Sequence, residues 1–403
     1  MDKVKYLVLG AGPAGLTFAN KLLDRGERSL IVIEKEAQAG GLCRSVDVDG
    51  AALDIGGGHF LDVRRPKVDE YLFRFMPEDE WDKYERDSRI VYQGKTVSHP
   101  FEANIWQMDV DEQVGYLLSI AQAGCVRGEP MPERFIDWIV WKLGKKIAET
   151  YMLPYNRKMF ADDLNELGTY WLEKLPDVSF EDTLRSCLER KPYAKQPGHA
   201  EFYYPKKHGY GEVWLRMAQA LGDKLVCGVS AVSLDFSDRT VNLSDGSSFS
   251  AEKIIFTVPW SSISEYKNAA PGFESDVAKL RHSSVEIRYM PDCPETDAQW
   301  LYFADDDIPY HRILLRPNFL PGSRGCWTET RKERVPMFTD SAVFAYMNEH
   351  AYPLNTVDKP QAIRRVLDFA AANNVIGLGR WGEHSHFNSD LVVEKAMAAA
   401  ERE

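Results

Sequence analysis

The sequence predicts an α/β fold in which a Rossmann-like unit is combined with a helical insertion and an antiparallel sheet. An apolar run at residues 4–9, a glycine-rich turn, a helical stretch and a second apolar run at residues 29–34 form the strand–turn–helix–strand opening of a βαβ unit. Residues 105–190 place apolar side chains at the three-and-four spacing of helices. Residues 225–258 and 283–330 return to short strand patterns separated by Pro and Gly.

Length and charge limit the classes of protein to which the chain can belong. Its 403 residues suffice for roughly two to three structural units. The net charge of −12 repels phosphate backbones and anionic lipid, so we expect neither nucleic acid nor a membrane as partner. The six cysteines form no CxxC pair, which favours a reducing cytoplasm. The His384-x-His386 pair has no third ligand placed near it, so we expect no metal site.

The first loop carries a dinucleotide-binding fingerprint. In Gly10-x-Gly12-x-x-Gly15, Gly10 permits the tight turn, Gly12 admits a pyrophosphate and Gly15 allows close packing of the helix on the strand. The helix N-terminus supplies free N–H groups and a favourable dipole for the phosphates. Glu34 ends the second strand and can accept hydrogen bonds from ribose hydroxyls. The alternative is a glycine turn beside an exposed Glu.

Further motifs resemble flavoproteins of the amine-oxidase and glutathione-reductase superfamily, which bind FAD. Gly40-Gly41 and Arg44 follow the acidic residue, and the strands around Val229 resemble the second FAD-contacting segment, in which Val229 would touch adenine through its backbone. Near the C-terminus, Arg380 lies where the superfamily has an Arg close to FAD. The resemblance also implies that the following helix points its N-terminus, with Asp390 and Leu391, at the flavin. A surface arginine after a turn is the alternative for Arg380.

Three other segments resemble UDP-galactopyranose mutases, a branch of this superfamily. The segment Asp54-Ile-Gly-Gly-Gly-His59-Phe60 resembles the glycine–histidine loop that lies against the isoalloxazine ring. Glycines such as Gly57 and Gly58 remove side chains where a flat ring must approach the backbone. The resemblance implies that His59 donates to the flavin. A histidine packed within a loop is the alternative.

The second segment, Tyr151-Met-Leu-Pro-Tyr155-Asn156-Arg-Lys-Met-Phe160, is similar to the segment of these mutases that grips uracil. The resemblance implies a slot in which Tyr151 and Phe160 enclose the base and the Asn156 amide binds its edge, with Tyr155 beside them. A flat base between aromatic rings with one amide at its edge is sound recognition chemistry. A turn at a helix end with core aromatics is the alternative.

The third segment contains Tyr302 and Arg312, in Trp300-Leu-Tyr-Phe and Tyr310-His-Arg, and resembles a strand pair that reaches the diphosphate. Arginine offers planar, permanently charged donors to phosphate oxygens. Tyr352 falls where another diphosphate-contacting Tyr is found, and His386 stands where the family has a Tyr with that role. A cross-strand stack without ligand is the alternative for Tyr302 and Arg312.

The resemblance implies an FAD-dependent mutase that interconverts the pyranose and furanose forms of a nucleoside-diphosphate sugar, with His59, Tyr302 and Arg312 at the reaction centre. Reduced FAD would be the active form, with NAD(P)H as a candidate reductant. An FAD-dependent oxidoreductase of the amine-oxidase or protoporphyrinogen-oxidase type is the alternative, because it shares the whole FAD signature. A non-catalytic escort module on the same fold is a third hypothesis.

The order of the motifs predicts three interleaved units. We assign residues 1–76, 200–262 and 372–403 to the FAD-binding domain, residues 105–199 to a helical domain, and residues 77–104 and 263–371 to an antiparallel-sheet substrate domain. A small nucleotide sugar is the expected partner, and the sequence leaves homo-oligomer formation open.

Overall fold

The computed structural model describes residues 2–172, 179–193 and 200–403. The described strands are β1 (Asp2–Leu9), β2 (Leu30–Glu34), β3 (Ser45–Val48), β4 (Ala51–Asp54), β5 (Leu61–Asp62), β6 (Trp81–Glu85), β7 (Ser88–Tyr92), β8 (Lys95–Ser98), β9 (Glu201–Pro205), β10 (Leu225–Cys227), β11 (Ala231–Asp235), β12 (Thr240–Leu243), β13 (Ser248–Phe256), β14 (Glu265–Lys267), β15 (His282–Met290), β16 (Trp300–Phe303), β17 (Arg312–Leu315), β18 (Cys326–Arg331), β19 (Phe344–Pro353) and β20 (Val375–Gly377). The described helices are α1 (Pro13–Asp24), α2 (Pro66–Phe73), α3 (Val110–Ala121), α4 (Phe135–Ile147), α5 (Leu153–Met159), α6 (Phe180–Glu189), α7 (Gly211–Leu221), α8 (Phe273–Ala278), α9 (Lys359–Ala372), α10 (Gly379–Gly382) and α11 (Ser389–Glu401).

The first sheet has the order β10-β2-β1-β13-β12-β11-β14, with β20 also paired to β13. Strands β10, β2, β1 and β13 run parallel, from the β10 edge to the middle of the sheet, and the predicted strand–helix–strand opening is confirmed as β1, α1 and β2. Leu7, Val8 and Val32 are fully buried because helices or strands cover both faces of this sheet. The carboxyl ends of β1 and β2 therefore meet at one edge, where a parallel α/β sheet binds its ligands.

The second sheet has the order β19-β15-β18-β17-β16-β7-β8. It is antiparallel except between β16 and β7, which run parallel, so the predicted antiparallel sheet is mixed at this one step. In its centre, Tyr302 lies directly opposite Arg312, and Arg312 directly opposite Glu329. The register alone therefore brings these three side chains to one face of the sheet.

The α/β class predicted from the sequence is confirmed, and the sheets suggest different limits for its units. Strand β14 joins the first sheet, while α8 and α9 pack with its core residues Leu7 and Leu9. Strand β6 pairs with β9 in a third, three-stranded sheet with β5. We propose that the dinucleotide-binding unit also includes residues 263–280 and 359–371. The helical unit comprises α3 to α6, and the parts of its predicted range at residues 173–178 and 194–199 lie outside the described residues.

The helices give no indication of a membrane span. Within residues 2–172, 179–193 and 200–403, no helix is both long enough and apolar enough to cross a bilayer.

Candidate functional site

A cavity of about 560 Å³ opens at the carboxyl ends of β1 and β2, between the first and second sheets. Eight residues singled out by the sequence line it: Gly10, Gly12, Glu34, Gly41, Arg44, His59, Val229 and Arg380. Residues from five separate parts of the chain thus meet around one space. The N-termini of α1 and α11 also reach this wall through Pro13 and Ser389.

The fingerprint glycines shape one end of the cavity. Gly10 has φ +99°, and a Cβ on Gly15 would lie 2.0 Å from the Gly10 carbonyl oxygen, so the turn and the helix can approach only with glycine at position 15. A Cβ on Gly12 would meet only the Gly41 Cα, at 3.7 Å, and would otherwise project into the cavity. The free N–H groups at the start of α1 make this end suited to phosphate.

Glu34 is buried at the same end and already holds two backbone groups. Its carboxylate accepts hydrogen bonds from the Ala11 N–H at 2.7 Å and the Glu36 N–H at 3.0 Å. A carboxylate oxygen has further lone pairs, so it can still accept from a ribose hydroxyl. The Val229 N–H donates to the Glu34 carbonyl oxygen. Of the backbone groups of Val229, the carbonyl is therefore the one that can contact a base.

The other end of the cavity is cationic. The Arg380 guanidinium donates to the carbonyl oxygens of Phe387 and Ala351, and the described residues offer it no carboxylate. Burial lowers its pKa, as expected for a cation held by neutral dipoles. The first turn of α11, which has no side-chain cap, adds free N–H groups to this end. Together they favour an electron-rich or anionic edge of a bound group.

His59 lines this cationic end as a neutral imidazole. Burial, and then the charge of Arg380, lower its pKa to about 4. Its Nδ1 lies 3.1 Å from the Gly57 carbonyl oxygen, so Nδ1 carries the proton and donates. The Nε2 atom is then an acceptor, whereas the sequence analysis expected His59 to donate.

Other predicted cofactor residues lie outside the cavity wall. The space beside Gly57 and Gly58 is taken by protein, because Cβ atoms there would lie 2.9 Å from Glu329 Oε1 and 2.3 Å from Leu314 Cδ2. A side chain at either position would therefore overlap atoms of the second sheet. The Asp390 carboxylate pairs with Arg65, away from the cavity. Only the backbone N–H groups of Asp390 and Leu391, in the first turn of α11, remain for a ligand.

Glu329 organises the groups behind the His59 loop. This buried carboxylate accepts from the Gly58 N–H at 3.0 Å and from the Tyr352 hydroxyl at 3.2 Å, and it forms an ion pair with Arg312. Burial raises its pKa, but Arg312 and His311 outweigh burial, so the net pKa lies well below its usual range. The pair leaves the Arg312 Nε buried without a hydrogen-bond partner among the described residues.

Arg86 is a second cation beside the predicted diphosphate site. It donates to the Tyr302 hydroxyl at 2.6 Å and to the Ser88 hydroxyl at 2.7 Å, and its guanidinium lies 5.1 Å from the centre of the Trp300 ring. Burial raises the pKa of Tyr302, but Arg86 and Arg312 outweigh it and the net pKa falls below 10.0. The field at this hydroxyl is therefore positive.

The predicted base slot is not open in this structure. Tyr151 stacks on Phe101 at 5.4 Å between ring centroids and an interplanar angle of 9°, so these rings already contact each other. The Asn156 amide donates to the Met152 carbonyl within its own helix. Phe160 is buried against Trp171, Tyr352 and His386.

Tyr155 and the diphosphate candidates do come together. The Tyr155 ring lies edge-on to Tyr302 at 5.8 Å, and the Tyr352 ring lies 5.0 Å from His386. The Tyr352 hydroxyl also lies 3.5 Å from Arg312 Nη2.

Sequence reasoning missed Glu329, Arg86 and His311. One signal was available for Glu329, because an acidic residue in the middle of the β-branched and aromatic run Cys326–Arg331 is a candidate for a paired buried charge. Arg86 stands in no motif. Its partner Tyr302 is 216 positions away, so only the fold reveals the pair.

The donor set fits a flavin dinucleotide. The glycine turn and the α1 N-terminus suit a pyrophosphate, Glu34 suits a ribose, and Arg380 with the α11 N-terminus suits the electron-rich edge of a ring system. Two observations support this fit. The space beside the Gly12 backbone is open, and the Arg380 guanidinium is held by carbonyl oxygens and forms no ion pair with a described residue.

Comparison of the sequence with known proteins identifies one matching family. The sequence model of the family described as flavin containing amine oxidoreductase matches residues 13–284, more than half of the chain. A curated relative, the uncharacterized protein in the nifH2 3′ region of Methanothermococcus thermolithotrophicus, is 43% identical over 53 residues, which make up 13% of this chain and 50% of that relative. The chain thus matches about half the length of this relative.

Several solved structures share the fold. Reduced UDP-galactopyranose mutase has a TM-score of 0.88 at 23% identity and covers 99% of this chain and 93% of its own. Cyclohexylamine oxidase from Brevibacterium oxydans has a TM-score of 0.67 at 15% identity, covering 99% and 98%. The CLA-producing fatty acid isomerase from P. acnes has a TM-score of 0.67 at 13% identity, also covering 99% and 98%. Similarity at these identities concerns the fold.

Proposed function

We propose that this chain, which belongs to the family of flavin containing amine oxidoreductases, binds its flavin as FAD. We further propose that it interconverts the pyranose and furanose forms of a nucleoside-diphosphate sugar. The observation that carries the proposal is the pair of arginines around Tyr302, next to the His59 loop. Arg312 keeps a buried Nε to which no described residue offers an acceptor, and both cations lower the pKa of Tyr302, so the site favours an anionic group. The fold shared with a reduced UDP-galactopyranose mutase supports the same substrate class.

Each residue would have a defined task. Arg86 and Arg312 would bind the diphosphate and neutralise the charge that it gains as it leaves the sugar. Tyr302 and Tyr352 would orient it through their hydroxyl groups. Arg380 and the α11 N-terminus would favour the electron-rich reduced flavin. When bound, reduced FAD would supply the electron pair needed for the change in ring size and would then recover it, so that the sugar undergoes no net oxidation.

The test is turnover by the dithionite-reduced holoprotein without oxygen. Incubation with a panel of UDP-sugars should give, for at least one sugar, a product of unchanged mass and altered chromatographic retention whose NMR spectrum is that of a five-membered ring. The oxidised protein should give none. Replacement of dithionite by NADH or NADPH tests the reductant. A panel without any isomeric product would contradict the proposal.

One observation favours a second candidate, an FAD-dependent oxidoreductase acting on an amine. Glu329 is a buried carboxylate near Tyr302 and Tyr352, and a carboxylate among aromatic rings suits a substrate ammonium group. Arg312 neutralises that carboxylate, and Arg86 adds a positive charge that forms no ion pair with any residue the structure describes, which is why we favour the anion. Flavin reduction by primary amines together with oxygen consumption would identify the oxidoreductase.

A further inference from the structure

A buried histidine lies beside the Arg312–Glu329 ion pair, and the proposed function gives it no task. His311 is 0% exposed. Neither of its ring nitrogens has a hydrogen-bond partner among the described residues. Its Nε2 lies 3.5 Å from Glu329 Oε2, beyond good hydrogen-bond length but within reach of a strong charge interaction. A buried polar group left without partners requires a physical reason.

Four groups face His311 from the elements packed against it. Glu329 approaches from β18 and Arg312 is its neighbour on β17, while Tyr155 and Lys158 approach from α5. The Tyr155 ring lies edge-on at 6.1 Å. The Lys158 amine donates to the carbonyl oxygens of Phe303 and Asp305, which engages two of its N–H groups. The charges that act on His311 are therefore those of the Arg312–Glu329 ion pair, together with the Lys158 amine, which lowers the pKa of His311 as Arg312 does.

An anion bound to the Arg312 Nε would upset this balance. The guanidinium would then share its charge between Glu329 and the anion, and a buried carboxylate with a weakened partner is strongly unfavourable. His311 is the titratable group that can compensate Glu329 without displacing Arg312. We propose that His311 takes up a proton from solvent when a phosphate-bearing ligand binds Arg312, and returns it when the ligand leaves. This proposal rests on the proposed function, because it uses the same diphosphate site.

The sign of the linkage follows from the charges. In the ligand-free protein burial lowers the pKa of His311, so the ring is neutral at pH 7, although Glu329 acts in the opposite direction. A ligand that draws on the charge of Arg312 strengthens the influence of Glu329 and raises the pKa of His311. The pKa of His311 is thus higher in the complex than in the ligand-free protein. Between these two pKa values, affinity for the ligand should rise as the pH falls, by at most about tenfold per pH unit.

The experiment is calorimetric titration of the holoprotein with UDP near pH 7, in two phosphate-free buffers that differ in ionisation enthalpy. The buffer dependence of the heat gives the number of protons taken up per UDP. Wild type is compared with His311→Asn, which removes the proposed proton acceptor, and with the control Lys158→Met. Lys158 is the neighbouring base, and its pKa is lowered to about 7, mainly by burial. Ionisation of UDP itself is common to all variants and cancels in the difference.

We expect wild type and Lys158→Met to take up more protons per UDP than His311→Asn, by a difference of up to about one. Equal uptake in wild type and His311→Asn, or loss of the uptake in Lys158→Met, would overturn the role of His311 while leaving the proposed function intact. Failure of wild type to bind UDP would overturn both. If His311→Asn does not fold, NMR titration of the histidines in wild type replaces it, and a His311 pKa that does not rise with UDP overturns the proposal.

Discussion

Glu329 offers the most decisive test of the site's electrostatics, through the isosteric substitution Glu329→Gln. The amide keeps the volume, and its one oxygen can accept from the Gly58 N–H while its NH2 group donates to the Tyr352 hydroxyl, but it removes the negative charge opposite Arg312. The guanidinium then remains buried without a carboxylate. Breaking a buried pair in this way costs about 3–5 kcal/mol, so the free energy of unfolding should fall by that amount.

The assay is urea unfolding followed by tryptophan fluorescence, since Trp300 and Trp327 are buried beside this network. Because the folded pKa of Glu329 is lowered, its stabilisation is complete above the unfolded value of about 4.3 and is lost only as the pH falls towards the folded value. The difference between wild type and variant should therefore be constant from about pH 6 to pH 8.

The matched control is Glu333→Gln. Glu333 pairs with Arg331 at 3.4 Å, but its side chain is 56% exposed, so its loss should change stability by no more than about 0.5 kcal/mol. In the double variant Arg312→Met/Glu329→Gln neither charge of the pair is left buried without its partner. The double variant should therefore lose less free energy of unfolding than the two single variants combined, by at least about 1 kcal/mol. A Glu329→Gln loss below about 1 kcal/mol, or strict additivity, would refute the reasoning.

Three further predictions concern the cofactor cavity. Gly15→Ala should lose both fold stability and flavin, because its Cβ would lie 2.0 Å from the Gly10 carbonyl oxygen. Gly12→Ala should unfold at a midpoint close to wild type yet purify with less flavin, and a wild-type flavin content in Gly12→Ala would contradict this. His59→Asn should flatten the pH dependence of the melting temperature. A buried His whose folded pKa is about 4 stabilises the fold fully above about pH 6.5 and progressively less as the pH falls to that folded value. A variant whose melting temperature depends on pH as steeply as that of wild type would count against a neutral His59. Arg380→Met should lower the reduction potential of the bound flavin in spectroelectrochemical titration, because a buried cation at this end favours the electron-rich form. An unchanged or raised potential would contradict this role of Arg380.

The sequence predicted those parts of the molecule that depend on local rules. The β1–α1–β2 opening follows from hydrophobic period and glycine chemistry within about thirty residues, and the structure has it at Asp2–Leu9, Pro13–Asp24 and Leu30–Glu34. The short strand patterns predicted over residues 225–258 do not locate the break at Gly228, with φ +79°, between β10 and β11. A single glycine in an apolar run does not show whether the chain turns there.

Long-range pairings escaped the sequence for a physical reason. Gly58 and Glu329 are 271 positions apart, so no spacing could connect the His59 loop to its buried carboxylate. Tyr151 and Phe160 pack in different hydrophobic clusters, and the sequence does not show whether an aromatic ring faces a ligand or another ring. Here Tyr151 stacks on Phe101. Packing, which only the fold defines, decides between these arrangements.

The central claim is that a phosphate-bearing ligand sits on Arg312 and Arg86, next to the flavin end of the cavity. A crystal structure of the flavin-loaded protein soaked with UDP tests it most directly. We predict diphosphate oxygens within hydrogen-bond distance of Arg312 Nε and of the Tyr302 hydroxyl, with Arg312 still facing Glu329. Nucleotide bound elsewhere, or an Arg312 side chain turned away from the bound flavin, would contradict the claim.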